Sequence, residues 1–208
     1  PASGRAQVYA ALCRQLDKPL CIVTPGEAEA TRFAADLNTL GIPAAVFPAR
    51  DYVLRPIEGT AREYEYRRLA VLGELVGGRL RAVAVPAEAL TQFTTPKEDF
   101  CANTRTLHAG DTLLRDDLLA ALFGAGYTRR AQVDGPGQFS VRGDIVDIFA
   151  PDQKMPVRME FWGDEIDTLH TFDLTTQRRE DAIDKFYLSP AREVLFGKPA
   201  DAAEQLRA

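Results

Sequence analysis

The residues best suited to specific chemistry in this sequence lie in one stretch, Gly137-Gln138-Phe139-Ser140-Val141-Arg142-Gly143-Asp144-Ile145-Val146-Asp147-Ile148-Phe149. In a β-strand, alternate side chains face opposite ways. Phe139 and Val141 share one face, and Ser140 and Arg142 the other. A bulge at Gly143-Asp144 would switch the parity. Val146 and Ile148 would then join Phe139 and Val141 in a core, with Asp147 and Phe149 outside beside Arg142. An exposed Phe next to an exposed Arg is the composition of a protein-binding hot spot. A planar guanidinium pairs in bidentate fashion with carboxylates. The chemistry on offer is recognition. Second readings stand beside it: Arg142 paired with Glu160 or Asp144 across the sheet, Phe149 as a core residue, and Arg129 and Arg130 as solvated side chains after a helix end.

Other chemistries find no residues to carry them. No Gly-x-x-x-x-Gly-Lys-Ser/Thr phosphate loop occurs. His108 and His170 are far apart, with no Cys or paired carboxylate at metal spacing, and no Ser-His-Asp, Cys-His or carboxylate-pair constellation stands out. Trp162 is expected to be structural, and the mixed-sign run Arg62–Arg68 to be a solvated helix face. Cys13 and Cys21 are expected to be buried thiols. No cofactor or metal is expected.

The elements that must position the arginines divide into two patterns. In the first part, apolar residues at helical spacing over Ala6–Leu16 precede a short apolar run, Pro19–Val23, of the kind found in buried parallel strands. Thr24 then caps a helix that runs to Leu40 and ends at Gly41. Ala44–Phe47 reads as a strand, Ala61–Val76 as a helix and Leu80–Val85 as a third strand. Such alternation points to a parallel α/β sheet. The pattern changes near Thr94–Asp99. A short helix opens at Asp111-Thr112, and Gly124 and Gly126 stop it. Strand signals then follow without intervening helices: Gln138–Phe149, Val157–Trp162, and Ile166–Phe172 after a Gly163-Asp164-Glu165 turn. Consecutive strands with short turns form antiparallel sheet. Tyr187–Val194 reads as one more strand, and a helix starts at Ala200.

Composition narrows the class of partner. The 208 residues carry a formal net charge of −5, with 46% hydrophobic and 26% charged residues. A domain built to grip phosphates usually carries a basic surplus, so nucleic acid is disfavoured for the chain as a whole. Three cysteines at unhelpful spacings fit a reducing cytoplasm. The absence of a secretory leader or a long apolar run points the same way, and no membrane partner is expected.

The stretch 137–149 resembles the strand pair of the second domain of UvrB and of the bacterial transcription-repair coupling factors (Mfd). Its continuations resemble the same family: Val157-Arg158-Met159-Glu160-Phe161-Trp162-Gly163-Asp164-Glu165-Ile166-Asp167, Phe172-Asp173 and Thr176-Gln177-Arg178. Phe47-Pro48, Arg50-Asp51-Tyr52 and Arg62-Glu63-Tyr64-Glu65 look like the coupling factors rather than UvrB. The resemblance implies an α/β fold with three parts. Residues 1–98 would form a degenerate RecA/helicase-like parallel-sheet lobe, and 99–190 a smaller inserted α+β domain on an antiparallel sheet. Residues 191–208 would be the truncated start of a return segment. Where UvrB has a phosphate loop ending Gly-Lys-Thr, this chain reads Ser3-Gly4-Arg5-Ala6-Gln7. The implied function is a non-catalytic module that recruits UvrA to stalled RNA polymerase. By motif position, Arg129, Arg142 and Phe149 fall on the UvrA-docking face, and Ser140 stands where UvrB has a third arginine. Other implied partners are further domains of the parent, which mask this face. RNA polymerase and DNA would be reached only through parts of the parent outside this chain. Two alternatives remain: a nucleotide-binding UvrB-like or helicase fragment, and a DNA-binding or autoinhibitory regulatory domain.

Overall fold

Ser3 opens the first helix, α1 (Gly4–Gln15): its extended backbone and its Oγ, which accepts from the Ala6 amide at 3.3 Å, cap the helix. Strand β1 (Leu20–Thr24) leads into α2 (Glu27–Thr39). Thr24 does not cap α2, contrary to the sequence expectation; Gly26 holds the N-cap position and the Thr24 hydroxyl donates to its carbonyl at 2.9 Å. Gly41, at φ 75°, turns the chain toward β2 (Ala44–Val46). Helix α3 (Ala61–Val76), strand β3 (Ala82–Pro86) and the short α4 (Ala87–Leu90) follow. The three strands are parallel, in the order β1-β3-β2. Central β3 is buried at all five positions because both its faces are covered. Ala82 and Ala84 pack with Ile22, Leu37, Ala30 and Phe33, while Val83 and Val85 pack with Phe47 and Val71.

The computed structural model describes residues 3–50 and 61–193, and the chain falls into two compact units, Pro1–Thr94 and Thr95–Ala208. Asp51-Tyr52, Val194 and the helix expected from Ala200 lie outside the described residues, and the strand expected over 187–194 forms earlier, over Lys185–Leu188, with residues 189–193 outside any strand. The first unit corrects one expectation about α3. Arg68 is fully buried rather than part of a solvated face. Its guanidinium stacks 4.0 Å from the Phe47 ring centroid and donates to the carbonyls of Pro48 and Phe93 and to Thr94 Oγ1. Loop carbonyls that no helix or strand satisfies recruit the cation.

The second unit starts with α5 (Lys97–Ala102), β4 (Arg105–His108) and α6 (Arg115–Gly124). Helix α6 begins later than Asp111 suggests. The Asp111 carboxylate accepts the His108 amide at 2.7 Å, and Thr112 bridges to Glu165. Then come β5 (Thr128–Arg129), β6 (Gln138–Arg142), β7 (Ile145–Phe149), β8 (Val157–Trp162), β9 (Glu165–Phe172), β10 (Arg179–Ala182) and β11 (Lys185–Leu188). Among the described residues, β10-β9-β8-β7-β6-β5 form a six-stranded sheet, antiparallel except at β5–β6, while β11 pairs with β4. Leu118 and Leu122 of α6 pack over Phe139, Val146, Ile148, Met159 and Leu169 on one sheet face. The chain is thus a mixed α/β protein with several sheets. No helix among the described residues is long and apolar enough to cross a membrane.

Candidate protein-docking face

A two-residue turn, not a bulge, sets the geometry of the site. Arg142 pairs directly with Ile145, so Gly143-Asp144 is the whole connection between β6 and β7. Gly143 sits at φ 60°, a conformation that glycine adopts without the Cβ clash of other residues. Glycine at the first central position suits a tight hairpin. The register then runs Val141↔Val146, Ser140↔Asp147, Phe139↔Ile148 and Gln138↔Phe149. Paired residues share a face. Arg142, Asp147 and Phe149 therefore lie on the same side, and Phe139, Val141, Val146 and Ile148 on the other, the grouping expected from a parity switch at Gly143-Asp144, which the turn and not a bulge supplies.

The exposure of Phe149 is a correction. It is 7% exposed and packs with Val133, Phe172 and Leu174. Sheet parity places it opposite the α6 core, but that side has a cover of its own. Val133, from the connection between β5 and β6, and Leu174, after β9, form a second small core over it. Ser140 is also buried, paired with Asp147.

Arg142 stays half-exposed because of Asp147. The Asp147 carboxylate is completely buried. Its Oδ2 accepts from Arg142 Nη2 at 2.6 Å and from Arg158 Nη2 at 2.9 Å, and its Oδ1 accepts from Arg158 Nε at 2.7 Å. Arg158, opposite Asp147 on β8, is nearly buried and stacks 4.8 Å from the Phe172 ring centroid. The hydrogen bond to Asp147 raises the Arg158 pKa, burial opposes this, and Coulombic attraction to Asp147 adds to it. One carboxylate between two guanidiniums leaves a local surplus of one positive charge. Neither sequence alternative for the Arg142 partner holds: Asp144 pairs with Arg115 at 3.4 Å, and Glu160 with Arg179.

Arg129 is exposed at the sheet edge and makes no ion pair among the described residues. It stands opposite Phe139, three positions from Arg142 along β6, so the register sends the two arginines to opposite sides of the sheet. They are separated by about 10 Å of strand. The structure thus groups Arg142 with Phe149 on one side and leaves Arg129 at the rim. Asp147, Arg158, Glu160 and Arg179 were missed as site residues. The signal for two of them was present, since Val157-Arg158-Met159-Glu160 alternates and puts both charges on one face. Two smaller expectations also change. Cys21 is exposed while Cys13 is buried. Trp162 stands at the end of β8 with 82% of its surface exposed. No group of His, Cys, Asp and Glu among the described residues could hold a metal.

Comparison with known proteins places this face in a family. Residues 106–194 match the family model described as the UvrB interaction domain. The whole chain is 37% identical over 219 residues to the transcription-repair-coupling factor of Mycobacterium tuberculosis (strain CDC 1551 / Oshkosh), covering 100% of this chain and 18% of that protein. It is 35% identical over 205 residues to that of Myxococcus xanthus, covering 93% and 17%. It is 27% identical over 206 residues to that of Bacillus subtilis (strain 168), covering 98% and 17%. The chain spans less than a fifth of the length of these relatives. It belongs to the transcription-repair-coupling-factor family, and its residues 106–194 carry the match to the UvrB interaction domain.

Proposed function

We propose that this chain is a non-catalytic protein-binding module that recruits UvrA to sites of stalled RNA polymerase. The observation that carries this reading is the posture of Arg142: half-exposed, fixed by one amine to buried Asp147, its remaining donors free for a partner's carboxylate. An arginine held in place loses less rotamer entropy on docking. Arg129 would contribute from the rim, and Phe149 from beneath by supporting the face. The first unit fits a degenerate relative of a nucleotide-binding lobe. At Gly4-Arg5-Ala6, Ala6 is buried with no hydroxyl for magnesium, and Arg5 pairs with Glu29 at 3.7 Å.

Two measurements test this. Titration into UvrA should show binding, and Arg142→Ala should weaken it by about 2 kcal/mol, roughly 30-fold, because truncation strips a partner carboxylate of its cation. Wild-type affinity in an Arg129→Ala, Arg142→Ala double variant would remove this face from consideration. Millimolar MgATP should leave the melting temperature unchanged. A ligand selective for the folded state must raise it by mass action, so a magnesium-dependent rise would return the chain to the nucleotide-binding class.

A further inference from the structure

A carboxylate paired with a half-exposed arginine occurs twice on one face of the six-stranded sheet, fully buried at Asp147 and partly buried at Glu160. The first instance is Asp147 with Arg142. The second is Glu160 with Arg179. Asp147 stands opposite Arg158, and Glu160 lies two positions further along β8, so the two carboxylates are diagonal neighbours on the same face. Such neighbours are about 7–8 Å apart. The Glu160 side chain is 20% exposed, and its second oxygen accepts from Thr168 Oγ1 at 3.3 Å. Arg179 comes from β10, the outer strand, and its guanidinium reaches across β9 to Glu160 on β8. The exposures of the two arginine side chains match, 47% for Arg142 and 48% for Arg179. Arg142 hydrogen-bonds its acid through Nη2 alone, and the Arg179–Glu160 ion pair also runs through Nη2.

A surface arginine with a structural task alone would gain most by using both prongs of its fork on the acid, as Arg158 does with Asp147. Arg142 and Arg179 do not. Each keeps about half of its side-chain surface in solvent, with donors beyond the one on its acid. Such donors match a carboxylate in bidentate geometry.

We propose that Arg179 is a second docking arginine on the same face as Arg142, each pre-set by its own carboxylate, so that the face takes a protein surface presenting two carboxylates. The inference rests on the UvrA-binding reading and extends it to a residue outside the 137–149 stretch. The formal charge of −5 disfavours the other class of polyanion, nucleic acid. Arg179 lies on an edge strand exposed at all four positions, so its substitution removes no apolar packing.

The test titrates the 208-residue chain into UvrA at two salt concentrations, with Arg142→Gln, Arg179→Gln, Arg179→Lys and the Arg142→Gln, Arg179→Gln pair alongside wild type. Melting temperatures and retention on duplex DNA are measured in parallel. The expected result is a loss of at least 5-fold in UvrA affinity for Arg179→Gln, partial recovery in Arg179→Lys, a larger loss in the pair than in either single variant, and a shallower salt dependence. Wild-type affinity in Arg179→Gln, with Arg142→Gln weakened, overturns this proposal and leaves the UvrA reading standing. Wild-type affinity in all variants, or no binding of UvrA by wild type, overturns both. Weakened binding with an unchanged salt slope and a lowered melting temperature assigns Arg179 a structural role and overturns the proposal. Arg179-dependent DNA retention without an effect on UvrA also overturns it.

Discussion

Asp147→Ala is expected to cost the folded chain about 3–5 kcal/mol, the range for removing one partner of a buried ion pair. The loss concentrates at Arg158. That side chain is only 12% exposed, and two of its donors end on Asp147. What remains to it is the Gln177 carbonyl at 3.2 Å and the Phe172 ring. Neither neutralises a guanidinium taken out of water. Arg142 contributes little to the cost, because its half-exposed charge is screened by solvent once released. Asp147→Asn should fall between wild type and alanine, since an amide oxygen still accepts a hydrogen bond but carries no charge. The sign of the pH dependence follows from the raised Arg158 pKa. A folded-state pKa above the unfolded value gives stability that is complete below the unfolded pKa and lost as pH rises through the folded one. The Arg158 contribution is therefore constant through neutral pH and disappears only in strong alkali. Urea unfolding at pH 7 measures the loss. A change under about 1 kcal/mol with an unaltered m-value would mean that the triad holds nothing together.

Much of the fold was legible because burial imposes period. The parallel strands of the first unit read as short apolar runs since β3 is covered on both faces. The β6–β9 strands read as alternation because α6 covers one side of their sheet. The elements that escaped notice carry no such imprint. Strand β10 is Arg-Glu-Asp-Ala, exposed at every position, and β4 buries only Leu107. Hydrogen bonding to a neighbour makes them strands, and that partnership is not written in their own side chains. The candidate site was half legible. Parity correctly put Arg142, Asp147 and Phe149 on one side. It could not reveal that Val133, from an irregular connection, lies over that side, since loop placement is a tertiary fact. Arg68 misled for a related reason. Its spacing suits a solvated helix face, but the carbonyls that bury it belong to segments about 20 and 25 residues away in sequence.

Phe149→Ala should therefore act on stability first, lowering it by about 3 kcal/mol, the lower end of the range for emptying a buried phenylalanine site. The lower end applies because the cluster is small. It comprises Val133, Phe149 and Phe172, with Leu174 partly buried at its margin, so it can partly close over the cavity. Phe149→Leu keeps most of the volume and should lose less than half as much. The functional consequence follows from which segments the ring joins. Val133 belongs to the connection between β5 and β6, and Phe172 carries the stacked guanidinium of Arg158, which in turn holds Asp147. Loosening the ring loosens both the rim that bears Arg129 and the anchor beneath Arg142. UvrA affinity in Phe149→Ala should fall as the melting temperature falls and recover on cooling to where the variant is fully folded. An exposed hot-spot phenylalanine would behave in the opposite way, with affinity lost at all temperatures and a wild-type melting curve. That outcome would put Phe149 in the interface itself and return it to the surface position that a parity switch at Gly143-Asp144 suggested.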